Sequence, residues 1–122
     1  MDPDLREIRH LPDKGMERRL ALQALLEETL AADNGGDRDN VYFQPPPDVQ
    51  MAYPAIVYNR DSSNTRYANN MPYSRVKAYQ VTVISSNPDS VIPDRVAALP
   101  MCEHQRFFST AGLNHDVFTI YF

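Results

Sequence analysis

Leu113-Asn114-His115-Asp116-Val117-Phe118-Thr119-Ile120-Tyr121-Phe122 is the stretch whose reading decides the fold. From Val117 onward every residue is β-branched or aromatic, the types that fit a pleated, half-buried surface. The sequence stops on an aromatic residue in mid-strand. Chain ends fray unless something ties them down, so this run is expected to be docked in a sheet and covered by other parts of the chain. Just upstream, Cys102 to Ser109 reads as a strand carrying Phe107 and Phe108. Thr110 to Asn114 turns between the two runs, with Gly112 free to take positive φ. Together they predict a hairpin.

Further upstream, Val76 to Ser85 is the longest strand signal. Tyr79, Val81 and Val83 alternate there with Gln80 and Thr82, at period two. Tyr53-Pro54-Ala55-Ile56-Val57-Tyr58 is another strand, with proline at its start where it is tolerated. Strands 55–59 and 76–85 are expected to be hairpin neighbours. Val41-Tyr42-Phe43 is a short strand stopped by Pro45-Pro46-Pro47, which hold an extended connector and donate no ladder hydrogen bonds. A ligand role for that proline run is much the weaker reading.

Two helices complete the pattern. Met16 to Ala32 places Leu22, Leu25, Leu26, Thr29 and Leu30 on one face. Asp13 stands near its N-terminal cap, and Asn34-Gly35-Gly36 supplies the stop. Its polar face is not basic enough for a membrane-surface helix. Asn87-Pro88-Asp89-Ser90 is a turn with a helix cap at its end. Val91 to Leu99 follows as a short helix with Ile92, Val96 and Leu99 on one side, Pro93 in the first turn and Pro100 after it. Residues 1–15 read as a flexible arm, and the start-like Met16 makes part of it a candidate upstream extension. Residues 16–122 are then a single α+β domain: a mixed or antiparallel sheet of about five strands flanked by two helices, in the order α-β-β-β-α-β-β.

Composition sets outer limits. The chain has 122 residues, 43% hydrophobic and 23% charged, enough for one domain with its own core. Its net charge of −4 argues against an affinity for nucleic acid driven by overall charge. The single cysteine, Cys102, excludes an internal disulfide framework and a multi-cysteine metal site. No run reaches membrane-span length and no signal-peptide pattern opens the chain. A soluble, intracellular setting is expected. Ten prolines and seven tyrosines point to a loop-rich, strand-rich chain with contact surfaces.

Candidate sites are few. His10 lies in the arm. His104 and His115 bracket the last hairpin and, with Glu103 and Asp116, form the one place where a metal or acid–base pair can be imagined. Their spacing matches no metal signature. Ser109 and Cys102 lie nearby without the context of an activated nucleophile. The plainer reading has Asn114, His115 and Asp116 hydrogen-bonding to turn backbone. With four glycines in all, a phosphate cradle has no raw material. The loop from Arg60 to Arg75 carries Arg60, Arg66, Tyr67, Asn69, Tyr73 and Arg75, followed by Lys77. That composition suits either single-stranded nucleic acid or a protein contact. The acidic total favours the contact.

Several strings follow one another in order along the chain: Val41-Tyr42-Phe43-Gln44-Pro45-Pro46, Tyr53-Pro54-Ala55-Ile56-Val57-Tyr58, Tyr67-Ala68-Asn69-Asn70, Tyr79-Gln80-Val81-Thr82-Val83-Ile84-Ser85, Asn87-Pro88-Asp89-Ser90, and the closing run from Leu113. In these, residues 16–122 resemble the small neck proteins of long-tailed bacteriophages, called tail terminator, tail completion or minor capsid proteins. The closing run is the most specific part. The resemblance implies an α/β subunit without enzymatic activity, metal or cofactor. It implies a ring, expected to be hexameric, that caps the tail tube and docks to the head connector, first in the host cytoplasm and then in the virion. DNA would only pass through its lumen, which an acidic chain suits because it would not hold the duplex by phosphate neutralisation. Within the neck, a head-closure or connector role is the nearest alternative. A small nucleic-acid-binding module using the Arg60–Arg75 loop is the alternative of a different class. A ring needs two different patches in contact, and that loop and the outer edge of the sheet are the candidates. A chain ending flush with its sheet is expected to leave a neighbouring subunit unobstructed.

Overall fold

The computed structural model describes residues 14–32, 35–61 and 77–122, with the backbone alone for Lys14 and Gly15. Asp13 and Asn34, the two expected helix-end residues, lie outside them, as does the arm before Lys14.

Helix α1 runs Lys14–Ala31. Leu22, Leu26 and Leu30, one turn apart, are wholly buried, and Leu25 is only half-buried beside them. The apolar stripe is therefore narrower than the sequence pattern implies. Thr29 is buried on the same side and donates its hydroxyl to the Leu25 carbonyl at 2.8 Å, which satisfies it inside the helix. The helix ends where glycine makes it end. Gly35 takes φ +63°, and the Gly36 N–H closes on the Ala31 carbonyl at 3.1 Å, the bond of a Schellman ending.

The strands are β1 (Val41–Phe43), β2 (Ala55–Arg60), β3 (Ala78–Ser85), β4 (Cys102–Thr110) and β5 (Leu113–Tyr121), with helix α2 (Ile92–Ala97) between β3 and β4. They form one five-stranded mixed sheet in the order β1-β2-β3-β5-β4. β1 runs parallel to β2, and the other pairs are antiparallel. This is the expected α+β class and element order. Both expected pairings form: β2 with β3, from Ala55 opposite Ile84 to Arg60 opposite Tyr79, and β4 with β5. Several boundaries differ: α1 starts at Lys14, inside the stretch expected to be the arm, α2 is shorter than the expected 91–99, and β2 and β4 run on to Arg60 and Thr110. β2 starts at Ala55, after a cis Tyr53–Pro54 peptide, because Pro54 has no N–H for the ladder. β3 starts at Ala78, and Val76 lies outside the described residues.

The turn before α2 forms as expected, but the cap position is Val91, which makes no side-chain cap bond. Asn87 Oδ1 accepts the Asp89 N–H at 2.9 Å and Ser90 Oγ accepts the Ile92 N–H at 3.2 Å. Ile92 and Val96 are buried, and Leu99 packs at the margin of the same cluster.

Alternation along the strands sends Ile56, Tyr58, Tyr79, Val81, Val83, Phe118 and Ile120 to one face, where they meet α1 and α2 in a single core. Tyr58 ties the layers together. It is wholly buried, yet its hydroxyl donates to Gln23 Oε1 on α1, and Gln23 Nε2 donates on to the Val41 carbonyl at 3.3 Å. On the other face Val117 and Thr119 are also nearly solvent-free. Each sits on a strand paired on both sides, Val117 between Thr82 and Arg106, Thr119 between Gln80 and Glu103.

Candidate functional site

The sheet's two edges are unequal. β1 is three residues long and runs into Pro45-Pro46-Pro47, which blunts it. β4 is nine residues long, pairs on one side with β5, and has no strand on its other side among the described residues. From Glu103 to Thr110 every residue of β4 is exposed. β5, its partner, is buried from Val117 to Tyr121 but only half-buried from Leu113 to Asp116. The half of the hairpin nearer the turn is thus left open on both faces.

Alternation explains why two adjacent phenylalanines both face water. Phe107 pairs with Asp116 on the helix side, and Phe108 pairs with His115 on the other. Phe107 is 55% exposed and Phe108 39%. Phe108 stacks on the His115 ring at 4.5 Å and 11°, and the Arg106 guanidinium lies 5.8 Å from the Phe108 ring centre. An arginine and aromatic side chains on an accessible strand are the residue types that anchor protein contacts. A register shift between His104 and Arg106 interrupts the ladder. Such bulges twist an edge and limit indiscriminate pairing. Beyond it, Phe107 to Thr110 is regular.

The imagined acid–base site takes a different form. His104 pairs with Phe118 and therefore stands on the helix side, whereas His115 stands on the other face. The two rings do not converge. His104 Nε2 lies 3.0 Å from Asp116 Oδ1, with the imidazole 44% exposed and its edge toward the Phe118 ring at 5.1 Å. An ion pair that exposed contributes little. The turn-capping reading holds for His115 alone, whose Nδ1 lies 3.3 Å from the Leu113 carbonyl, whereas Asn114 Nδ2 donates at 3.1 Å to the Ser85 carbonyl on the neighbouring strand β3. Asp116 instead meets His104. Burial and the neighbouring Glu103 push the Cys102 thiol up to about 11, which suppresses the thiolate needed for nucleophilic chemistry. Among the described residues no group of three or more His, Cys, Asp or Glu is placed to hold a metal ion. No described helix is long and apolar enough to cross a membrane.

Of the expected contact residues, Arg60 ends β2 on the helix side of the sheet, opposite Tyr79. Arg66, Tyr67, Asn69, Tyr73 and Arg75 lie outside the described residues. The β4 residues Arg106, Phe107 and Phe108 were not singled out from sequence. The available signal was a pair of adjacent aromatics in a strand, which must face opposite ways. No protein-family model, curated protein or solved structure matches the chain.

Proposed function

We propose that this chain is a structural subunit of the neck of a long-tailed bacteriophage, forming a ring at the head-proximal end of the tail tube. There it ends tail polymerisation and offers a docking surface to the head connector. The reading rests on the ordered strings that end in Leu113–Phe122. The structural observation that supports it is β4: a long, accessible sheet edge with Phe107 on one face and Arg106 and Phe108 on the other. Such an edge offers backbone donors and acceptors to an incoming strand, while alternate side chains select the partner. The opposite edge is short and closed by proline, so a second subunit meets β4 with a different patch, as a closed ring requires.

Electron micrographs of the purified protein mixed with tail tubes test the reading. Ring-shaped density at one tube end is expected. Binding to DNA-filled heads and not to tubes would move the protein to the head side of the joint. Binding to neither would overturn the assignment.

A further inference from the structure

At the end of the sheet away from the β4–β5 turn, a recess of about 320 Å³ opens between the start of α1 and the strand ends. Arg19, Arg60 and Lys77 line it, together with Phe43, Tyr79 and Met16. No carboxylate is among the described lining residues. On a chain of net charge −4, three cations drawn to one hollow are a local inversion of sign. Each arrives from a different element: Arg19 from α1, Arg60 from the end of β2, and Lys77 from the residue before β3. Backbone bonds fix the corner. Lys77 and Phe122 exchange N–H···O bonds of 3.1 and 2.9 Å, and the Asp61 N–H donates to the Ala78 carbonyl at 3.0 Å.

The hollow is partly apolar. Arg19 lies over the Phe43 ring, its guanidinium carbon 4.4 Å from the ring centre. Arg19 also hydrogen-bonds to the Tyr58 hydroxyl, which ties the guanidinium to the strand layer beside the recess. The Tyr79 ring forms another wall, and Met16 is 48% exposed at the rim. Burial raises the Tyr79 hydroxyl's pKa, while the charges of Arg60, Arg19 and Arg18 pull it the other way.

We infer that this recess binds an acidic segment of a protein partner, with a carboxylate among Arg19, Arg60 and Lys77 and a neighbouring apolar side chain against Phe43, Tyr79 and Met16. Arginine favours carboxylates through paired, charge-assisted N–H···O bonds. The shape favours a peptide over nucleic acid. A duplex presents a continuous line of phosphates, about one charge per 1.7 Å of axis, and is read by an extended basic stripe, not by a hollow of side-chain size. The inference does not depend on the neck reading.

The test is selection from a library of random heptapeptides displayed on yeast, using the full-length protein. Enriched sequences should carry Asp or Glu beside an apolar residue. A synthetic copy of the leading sequence should bind Arg60→Gln/Lys77→Gln at least about tenfold more weakly, the scale of one lost charge-assisted hydrogen bond, and Lys77→Gln alone more weakly than wild type. Circular dichroism confirms that the variants stay folded. Selection without an acidic–apolar consensus, or equal affinity for the double variant, would overturn the inference. So would a short DNA duplex that binds and is lost in the double variant while no peptide is enriched.

Discussion

Phe118 and Phe107 lie on adjacent strands of one hairpin and on the same side of the sheet, yet they should respond oppositely to truncation. Phe118 is 1% exposed, on β5 between Val81 and His104, whereas Phe107 is 55% exposed. Burying a phenylalanine removes roughly 150–200 Å² from water, about 4–5 kcal/mol at about 25 cal/mol/Å². Alanine keeps the Cβ, while the cavity left by the ring adds a cost, so Phe118→Ala should lose about 4 kcal/mol, within the range measured for such changes. For a chain of this length that lowers Tm by roughly 12–20 °C. Phe107→Ala should lose less than about 1 kcal/mol. Urea melts followed by far-UV circular dichroism, at concentrations low enough to prevent self-association, measure both, and the slopes should match wild type. A loss at Phe107 equal to that at Phe118 would mean that Phe107 is covered within the monomer, and β4 would not be an accessible edge. A near-neutral Phe118→Ala would refute the placement of β5 in the core.

Tyr58→Phe keeps the ring and removes the hydroxyl that reaches Gln23, so it should destabilise by about 1 kcal/mol in the same melts. Burial is the main cause raising the pKa of both Tyr58 and Tyr79. Above about pH 10 the unfolded chain releases these protons while the folded chain holds them. Their contribution is therefore full below that pH and is lost as pH rises through the folded values, which a series of melts from neutral to alkaline pH should record as falling stability. The Cys102 thiol, pushed up to about 11, should react with iodoacetamide at neutral pH far more slowly in the folded than in the urea-unfolded protein. Equal rates would contradict its burial.

Much of the fold was legible because local chemistry and packing agree. Tyr79, Val81 and Val83 are buried with Gln80 and Thr82 half-buried between them, as their period-two pattern implies, although Ala78, Ile84 and Ser85 at the strand ends are buried too. The turn residues Asn87 and Ser90 make the backbone bonds their types favour. Gly35-Gly36 likewise stops α1 where its φ freedom is needed. Legibility failed where burial depends on distant elements. Phe107-Phe108 reads as a strand with core-type side chains, but whether a second layer covers it is decided by the reach of the helices and not by β4 itself. His104 and His115 bracket the β4–β5 turn, which makes them look like neighbours in the sequence. Their opposite faces follow from the register of β4 on β5, which the sequence does not state. Arg19, Arg60 and Lys77 are far apart in the chain, and only the sheet order brings them to one hollow.

Hydrogen–deuterium exchange along β4, with the protein free and bound to tail tubes, tests most directly whether this edge joins subunits. In the free protein, peptides covering Cys102–Thr110 should exchange the amides that do not bond to β5. On bound tubes the same peptides should gain protection, while those covering Val41–Phe43 change less. Ring density at the tube end with no added protection in β4 would show that subunits meet elsewhere and would contradict the account.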